Sequence, residues 1–445
     1  MNYLLIKNGL VVSGNKVHKA DILIGNTKIL EIKSEIHRPV PETPVIDAGG
    51  RFVLPGAIDS SHHEFLEYDV EEGEMFKLLS SEISNGTTTL FETIIPEKRT
   101  KINELVSKCE LLKVHHISDY AFHLSPKISK DFTEKDVMTS FIKNGISSYT
   151  IQPVQLNDLD EPYVTRIIKT AEKFNLTLMI ELNEPEPFGS GYATSSINSL
   201  TDADHHLNML ENILEKLKHA TFPVSISKLR FIEEARLIKK YLEKNCNIYA
   251  ELELPCFLGE KSKYEIHDKI VLGGLEISGK LTPISTTDFC KLISLKNFIA
   301  SRPSFNLTME DTKDSLVFNR PDKYFGLKYF SSMLYTLTVI YGNLAITDYV
   351  ACISTRPAKL MGLYPKKGIL KPGSDADIVV WNPDYERNLY CNIAANDKIE
   401  ELKLQGRTDF VFSKGKMVYD GEVFYRENLE GEYLYCTPAF RKQIG

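Results

Sequence analysis

Two adjacent imidazoles, His62 and His63, follow the run Val53-Leu54-Pro55-Gly56-Ala57-Ile58-Asp59-Ser60-Ser61. The apolar run breaks at Pro-Gly, restarts as Ala-Ile-Asp, and ends where the carboxyl end of a strand is expected. An imidazole there is placed to ligate a metal or carry a proton. Neighbouring side chains on a strand point to opposite faces, so only one of the pair can serve a given site. Glu251 and Glu253 alternate with apolar residues in Ala250-Glu251-Leu252-Glu253-Leu254, so both face one side of a strand. That side is either the interior of a pocket or a solvated edge. The pairs His115-His116 and His205-His206 sit at or beside helical stretches, where adjacent residues do not share a face. Both pairs read as surface or cap residues, and His123, within Asp119-Tyr120-Ala121-Phe122-His123-Leu124, as a hydrogen-bonded core histidine.

The elements that must position these groups come in three blocks. Residues 1–53 read as short strands, Tyr3 to Lys7, Leu10 to Ser13, Ala20 to Gly25, Lys28 to Lys33 and Phe52 to Leu54, separated by Asn-Gly and Gly-Gly corners of the kind tight hairpins need. From Pro55 to about Leu363, strands such as Thr88 to Thr93, Ser147 to Gln152, Leu176 to Leu182, Val224 to Ser227 and Asn297 to Ser301 alternate with helices such as Glu72 to Asn85, Thr100 to Val114, Lys135 to Asn144, Asp204 to His219 and Phe231 to Lys244. Parallel strands require helical crossovers, so the alternation implies an α/β fold, either a (β/α)8 barrel or a doubly wound sheet. Strands return at Asp409 to Ser413 and Lys416 to Tyr419.

Composition bounds the function. The 445 residues are 42% hydrophobic and 25% charged, with 53 basic against 60 acidic side chains and a net charge of -7. No block of like charge gives an electrostatic reason for a nucleic-acid or membrane partner. The 7 Cys are scattered without a Cys-x-x-Cys pair, the pattern of reduced thiols in a cytoplasmic protein. The opening apolar run stops at Lys7, too short for a signal peptide, and export is not expected.

The stretch around His63 resembles the Pro-Gly-x-Ile-Asp-x-His-x-His strand end of the amidohydrolase superfamily, in its dihydropyrimidinase, hydantoinase and dihydroorotase branch. A more specific resemblance is Arg356-Pro357-Ala358-Lys359, then Lys367-Gly368 and Pro372-Gly373-Ser374-Asp375-Ala376-Asp377, similar to the run by which such proteins return to their β domain. The resemblance spans nearly the whole chain. It implies a (β/α)8 TIM-like barrel over residues 55–363, and a small β-sandwich built from residues 1–54 and 364–445. Ala358, Leu360 and Met361 are expected to cap the barrel floor as a helix. Asp375 and Asp377 are expected to satisfy backbone donors where a buried strand begins.

In this family two divalent metals bridged by hydroxide attack a cyclic amide, held by four His, a carbamylated Lys and an Asp. By resemblance, only His63 keeps its ligand. Ser61 stands in the place of the first His, and Thr150, in Gly145-Ile146-Ser147-Ser148-Tyr149-Thr150, in that of the Lys. Glu181 and Ser225 replace the next two His, and Ala300, or Ser301 if the register slips by one, replaces the Asp. Gln155 stands where the family has a substrate-binding Tyr, and Arg302 follows the last strand. The resemblance therefore implies a catalytically degenerate homologue acting as a structural, regulatory or assembly partner. It is expected to form a homo-dimer or homo-tetramer, without cofactor. Two other readings stay open. One is a repurposed hydrolase of cyclic amides or other C–N bonds with a metal-free or single-metal (zinc) site around His63 and Glu181, in which Glu181 ligates or serves as one of an acid–base pair; in the degenerate homologue Glu181 instead forms an ion pair with Lys228 or Arg302 in a dead pocket. The other is a small-molecule binding barrel.

Overall fold

The computed structural model describes residues 2–60, 72–94, 118–125, 142, 144–151, 161–182, 203–244, 247–254, 265–266, 269–272, 275–278, 282, 284–301, 309–310, 329–393 and 398–437. The chain forms two compact units, one comprising residues 1–148, 343–385 and 405–445, the other residues 149–342 and 386–404.

The first unit holds β1 (Tyr3–Ser13), β2 (Lys16–Gly25), β3 (Lys28–Lys33), β4 (Val45–Asp47) and β5 (Phe52–Pro55). Asn8-Gly9 is not the turn that its composition suggests. β1 runs straight through it, and the register against β2 shifts between Ile6 and Gly9, with Asn8 at a positive φ of 56°. This is a bulge. It needs glycine at position 9 because a Cβ there would collide with Val53.

Both ends of the chain contribute to one mixed sheet. β18 (Ile378–Ile393), β19 (Lys398–Ser413) and β20 (Lys416–Tyr419) return from the far end, and the order is β20-β19-β18-β5-β1-β2-β3. Ile378 to Trp381 pair antiparallel with Pro55 to Phe52. Alternation delivers Ile22, Ile24, Val53, Ile378, Val380 and Phe412 to one fully buried cluster. Burial of such side chains is worth ~1.5–3 kcal/mol each.

The second large sheet is the parallel one that the alternating pattern implies. Its strands are β6 (Ala57–Asp59), β7 (Thr87–Ile94), β8 (Asp119–Leu124), β9 (Ser148–Ile151), β10 (Thr177–Glu181), β11 (Val224–Leu229), β12 (Ile248–Glu253) and β16 (Phe298–Ser301). All eight are neighbours in sequence order, with the helices Glu72–Ser84, Glu161–Phe174, Ala203–Leu217, Ile232–Leu242 and Thr286–Ile293 in the connections. Parallel strands in sequence order with helical crossovers are the strand set of a (β/α)8 barrel, and the doubly wound alternative, which reorders strands about a switch point, is set aside. The expected helices Thr100 to Val114 and Lys135 to Asn144 fall largely outside the described residues.

Below the barrel strands of the first unit, the short helix Arg356–Leu360 buries Ala358 and Leu360, and the Ser354 hydroxyl donates to the Gly56 carbonyl at 2.6 Å. The expected floor helix is therefore present. In the second unit β13 (Glu265–Ile266), β14 (Lys269–Leu272) and β15 (Leu275–Ser278) form a separate antiparallel sheet, and β17 (Met309–Glu310) pairs with the far part of β18.

Candidate functional site

Four neighbouring strands of the second unit build a buried polar row. Glu181 pairs with Ser227 and Met179 with Ser225; Glu251 pairs with Ile299 and Glu253 with Ser301. The alternate positions, Ile180, Ile226, Ala250, Leu252, Phe298 and Ala300, are apolar and buried. The helix Ile232–Leu242 packs against β12, and the apolar row is the one that such a helix covers, which leaves the polar row inward. Glu251 and Glu253 are only 1% and 3% exposed, so they line an interior and not a solvated edge.

The same register corrects one expected place and refines a second. Ala300 pairs with Leu252 on the apolar face, so Ser301 is the residue of β16 that shares a face with the glutamates. Ser301 donates to the Leu252 carbonyl at 3.3 Å. Ser225 is on the polar row but two residues deeper than the partner of Glu181, which is Ser227. The strand was expected to end at Ser227; it continues to Leu229.

That extension brings in Lys228, one of the two cations expected as a partner for Glu181, which lay beyond the expected end of the strand. Ile226 pairs with Ala250 and Leu229 with Leu252, so Ser227 and Lys228 together oppose the single residue Glu251. This is a bulge, and Lys228 sits in it at a φ of 62°, a left-handed conformation that costs a lysine ~1–3 kcal/mol. Simple alternation would put Lys228 on the apolar face beside Ile226. The bulge re-aims it, and its Nζ lies 3.7 Å from Glu181 Oε2, the lysine side chain being 11% exposed. Two residues on, the Arg230 guanidinium bonds Glu253. The turn between this strand and the next helix is fixed by Glu234, whose Oε2 accepts from the amides of Arg230 and Phe231, each at 2.9 Å. Its Oε1 meets His206 Nε2 at 2.6 Å. His206, expected on the surface, is buried because it shares a helical stripe with Leu210 and Leu214.

Among the described residues of this unit, the buried hydroxyls of Thr150, Ser225 and Ser227 have no hydrogen-bond partner, with residue exposures of 2%, 0% and 0%. Orphaned buried hydroxyls are uncommon in native proteins and call for a specific explanation. Ser61, His63, Gln155 and Arg302 lie outside the described residues.

Among the described residues of this unit, the donors do not fit the binuclear centre of the family that the chain resembles. Thr150 cannot be carbamylated, and the Glu181 carboxylate already faces an ammonium. Among the described residues, one group of carboxylates is close enough to share a cation: Asp119, Asp375 and Asp377, in the first unit. Lys367 fills it, with Nζ 2.7 Å from Asp119 and 3.3 Å from Asp375, and bonded also to Asp377. It is an ion cluster and not a metal site. His123, also in the first unit, is the core histidine expected: Nε2 meets the Ser60 carbonyl at 2.8 Å and Nδ1 the Ser148 hydroxyl at 2.5 Å.

Comparison with known proteins bears on the fold and on what the chain is similar to. Residues 323–418 match the model of the amidohydrolase family. A D-hydantoinase from Ralstonia pickettii is 24% identical over 97% of this chain and 98% of its own. Dihydropyrimidinase-related protein 5 from Rattus norvegicus is 23% identical over 97% of this chain and 80% of its own. Among solved structures, a dihydropyrimidinase from Brevibacillus agri superimposes with a TM-score of 0.74 at 20% identity, covering 99% of this chain and 100% of that one.

Proposed function

From a chain that belongs to the amidohydrolase superfamily, in its dihydropyrimidinase- and hydantoinase-like branch, we infer a homologue that has given up metal-dependent hydrolysis of cyclic amides. It serves as a structural, regulatory or assembly partner in the cytoplasm. The observation that carries this reading is the Lys228 ammonium 3.7 Å from Glu181. A positive charge fixed at that strand end repels a divalent ion where the family would bind one. Without metal, neither the hydroxide nor the carbonyl-polarising charge is supplied. His63 and Glu181 remain the residues a single zinc would have to use, and the pairing of Glu181 with Lys228 opposes it.

The expected result is that protein purified without chelator carries no stoichiometric divalent metal by elemental analysis. Dihydrouracil, hydantoin and dihydroorotate should not be hydrolysed above background. Two bound ions per chain, or turnover abolished in a His63→Ala variant, would overturn this.

The assembly follows from the same reading: a homo-dimer or homo-tetramer. Sedimentation at micromolar concentration should show a species of at least twice the 50.5 kDa chain mass; a monomer there would refute it.

A further inference from the structure

We propose that Lys228 captures a small aldehyde or ketone as a reversible imine, with Glu181 handling the protons. Buried beside a carboxylate, at 11% side-chain exposure, Lys228 is shielded from solvent without being sealed from it. The bulge holds it in a backbone conformation that lysine disfavours. Strain of this kind persists where the surrounding fold over-determines it, and it clusters at ligand sites. An independent sign of a ligand is next to it. The Ser227 hydroxyl, in the same bulge and register-paired with Glu181, is wholly buried and has no partner, and Ser225 below it is in the same state. A polar small molecule seated over Lys228 would give these hydroxyls an oxygen to donate to.

The step balances with the groups present. The Lys228 ammonium passes a proton to the Glu181 carboxylate, and the free amine adds to the carbonyl carbon. The nitrogen of the adduct passes one proton to the alkoxide oxygen to give the neutral carbinolamine, whose hydroxyl takes the other proton back from Glu181 and leaves as water. The product is an iminium cation with its charge beside the regenerated Glu181 carboxylate, so the original ion pair persists in a new form. Addition of water reverses the sequence. No metal, oxidant or further co-reactant is consumed. Lysines in such enclosed settings are the ones used for Schiff-base chemistry.

This inference rests on the reading that an ammonium, not a metal pair, occupies the strand end, and its test separates the two. Full-length protein is incubated with glycolaldehyde or pyruvate at neutral pH, reduced with cyanoborohydride, and read by intact mass and peptide mapping. The expected result is one reduced adduct per chain, on the peptide that carries Lys228. Lys228→Arg, which keeps the charge facing Glu181, should abolish it. Glu181→Gln should slow it by roughly a hundredfold, the lower end of what a positioned acid–base group contributes. Adducts scattered over surface lysines, or equal labelling in Lys228→Arg, would overturn the proposal. Metal analysis of the same preparation tells the failures apart. Metal-free protein that is not labelled at Lys228 refutes only the imine, whereas protein loaded with two divalent ions refutes the reading beneath it.

Discussion

Lys367→Met is expected to destabilise the first unit by about 3–5 kcal/mol at pH 7, the usual cost of removing one partner from a buried ion cluster. Lys367 and Asp119 are 3% and 0% exposed. Besides its three carboxylates, the cluster includes Lys414, whose Nζ lies 3.1 Å from Asp119 Oδ1, and Lys28, which bonds Asp375. Asp119 Oδ1 also accepts the Glu432 amide at 2.9 Å, and Asp377 Oδ1 accepts the Lys414 amide at 2.9 Å. The cluster thus pins together a barrel strand, the start of β18 and the chain beyond β20.

Burial alone would raise the carboxyl of Asp119, but Lys367 and Lys414 outweigh it and hold it below the usual range. Asp377 goes the other way. Its burial, with repulsion from Asp119, overcomes the pull of Lys367 and raises its carboxyl. Burial would lower Lys367, yet Asp377, Asp119 and Asp375 raise it.

The signs follow by linkage. Asp119, lowered in the fold, contributes stability above its unfolded pKa of 3.8 that is lost as pH falls through its folded value. Asp377, raised in the fold, penalises folding as pH climbs from 3.8 through its folded value. At pH 7 Asp119→Asn should therefore cost more than Asp377→Asn. In Lys367→Met the orphaned carboxylates can be relieved only by protonation, so its deficit should shrink as pH is lowered from 7 toward 4. Urea unfolding across that range checks both. A deficit under 1 kcal/mol at pH 7, or one that grows on acidification, would contradict the account.

Glu92→Gln should do the opposite and stabilise the protein at neutral and higher pH. Glu92 lies on β7 opposite Phe122, wholly buried, and burial pushes its carboxyl up to about 8 from 4.5. A carboxyl raised in the fold holds its proton more tightly there than in the unfolded chain. Its contribution is therefore most favourable below 4.5 and declines as pH rises to about 8, where it levels off. At 1.36 kcal/mol per unit, the penalty carried at pH 7 is on the order of 3 kcal/mol. Glutamine keeps the shape and removes the titration. Unfolding midpoints should converge for the two proteins near pH 4.5 and diverge in favour of the variant toward pH 8. If the wild-type curve is flat over that interval, Glu92 is charged in the fold and this prediction is wrong.

Much of the molecule was legible in the order of its residues. The corner-rich strands of residues 1–53 and the strand-helix alternation specify a β piece joined to an α/β fold by local periodicity and turn chemistry, whereas the barrel and a sheet drawn from both termini were implied only by the resemblance carried by the Pro55 and Pro372 to Asp377 runs. Alternation in Ala250-Glu251-Leu252-Glu253 was enough to put both glutamates on one face, though not to say which way that face turned. Burial among β10, β11, β12 and β16 decided that.

What the sequence could not supply were the places where pairing overrides period. Asn8-Gly9 carries the composition of a turn, and only the neighbouring strand β2 makes it a bulge. Lys228 reads by alternation as an apolar-face residue, and only the mismatch between Ile226-Ala250 and Leu229-Leu252 swings it to Glu181. Lys367 gives no local sign of its role, since its partner Asp119 is 248 residues away. Register and long-range charge pairing are properties of strands already brought together. They fix which side chains meet in the candidate site, and they put a lysine beside Glu181, which by resemblance stands in the place of a metal-binding His.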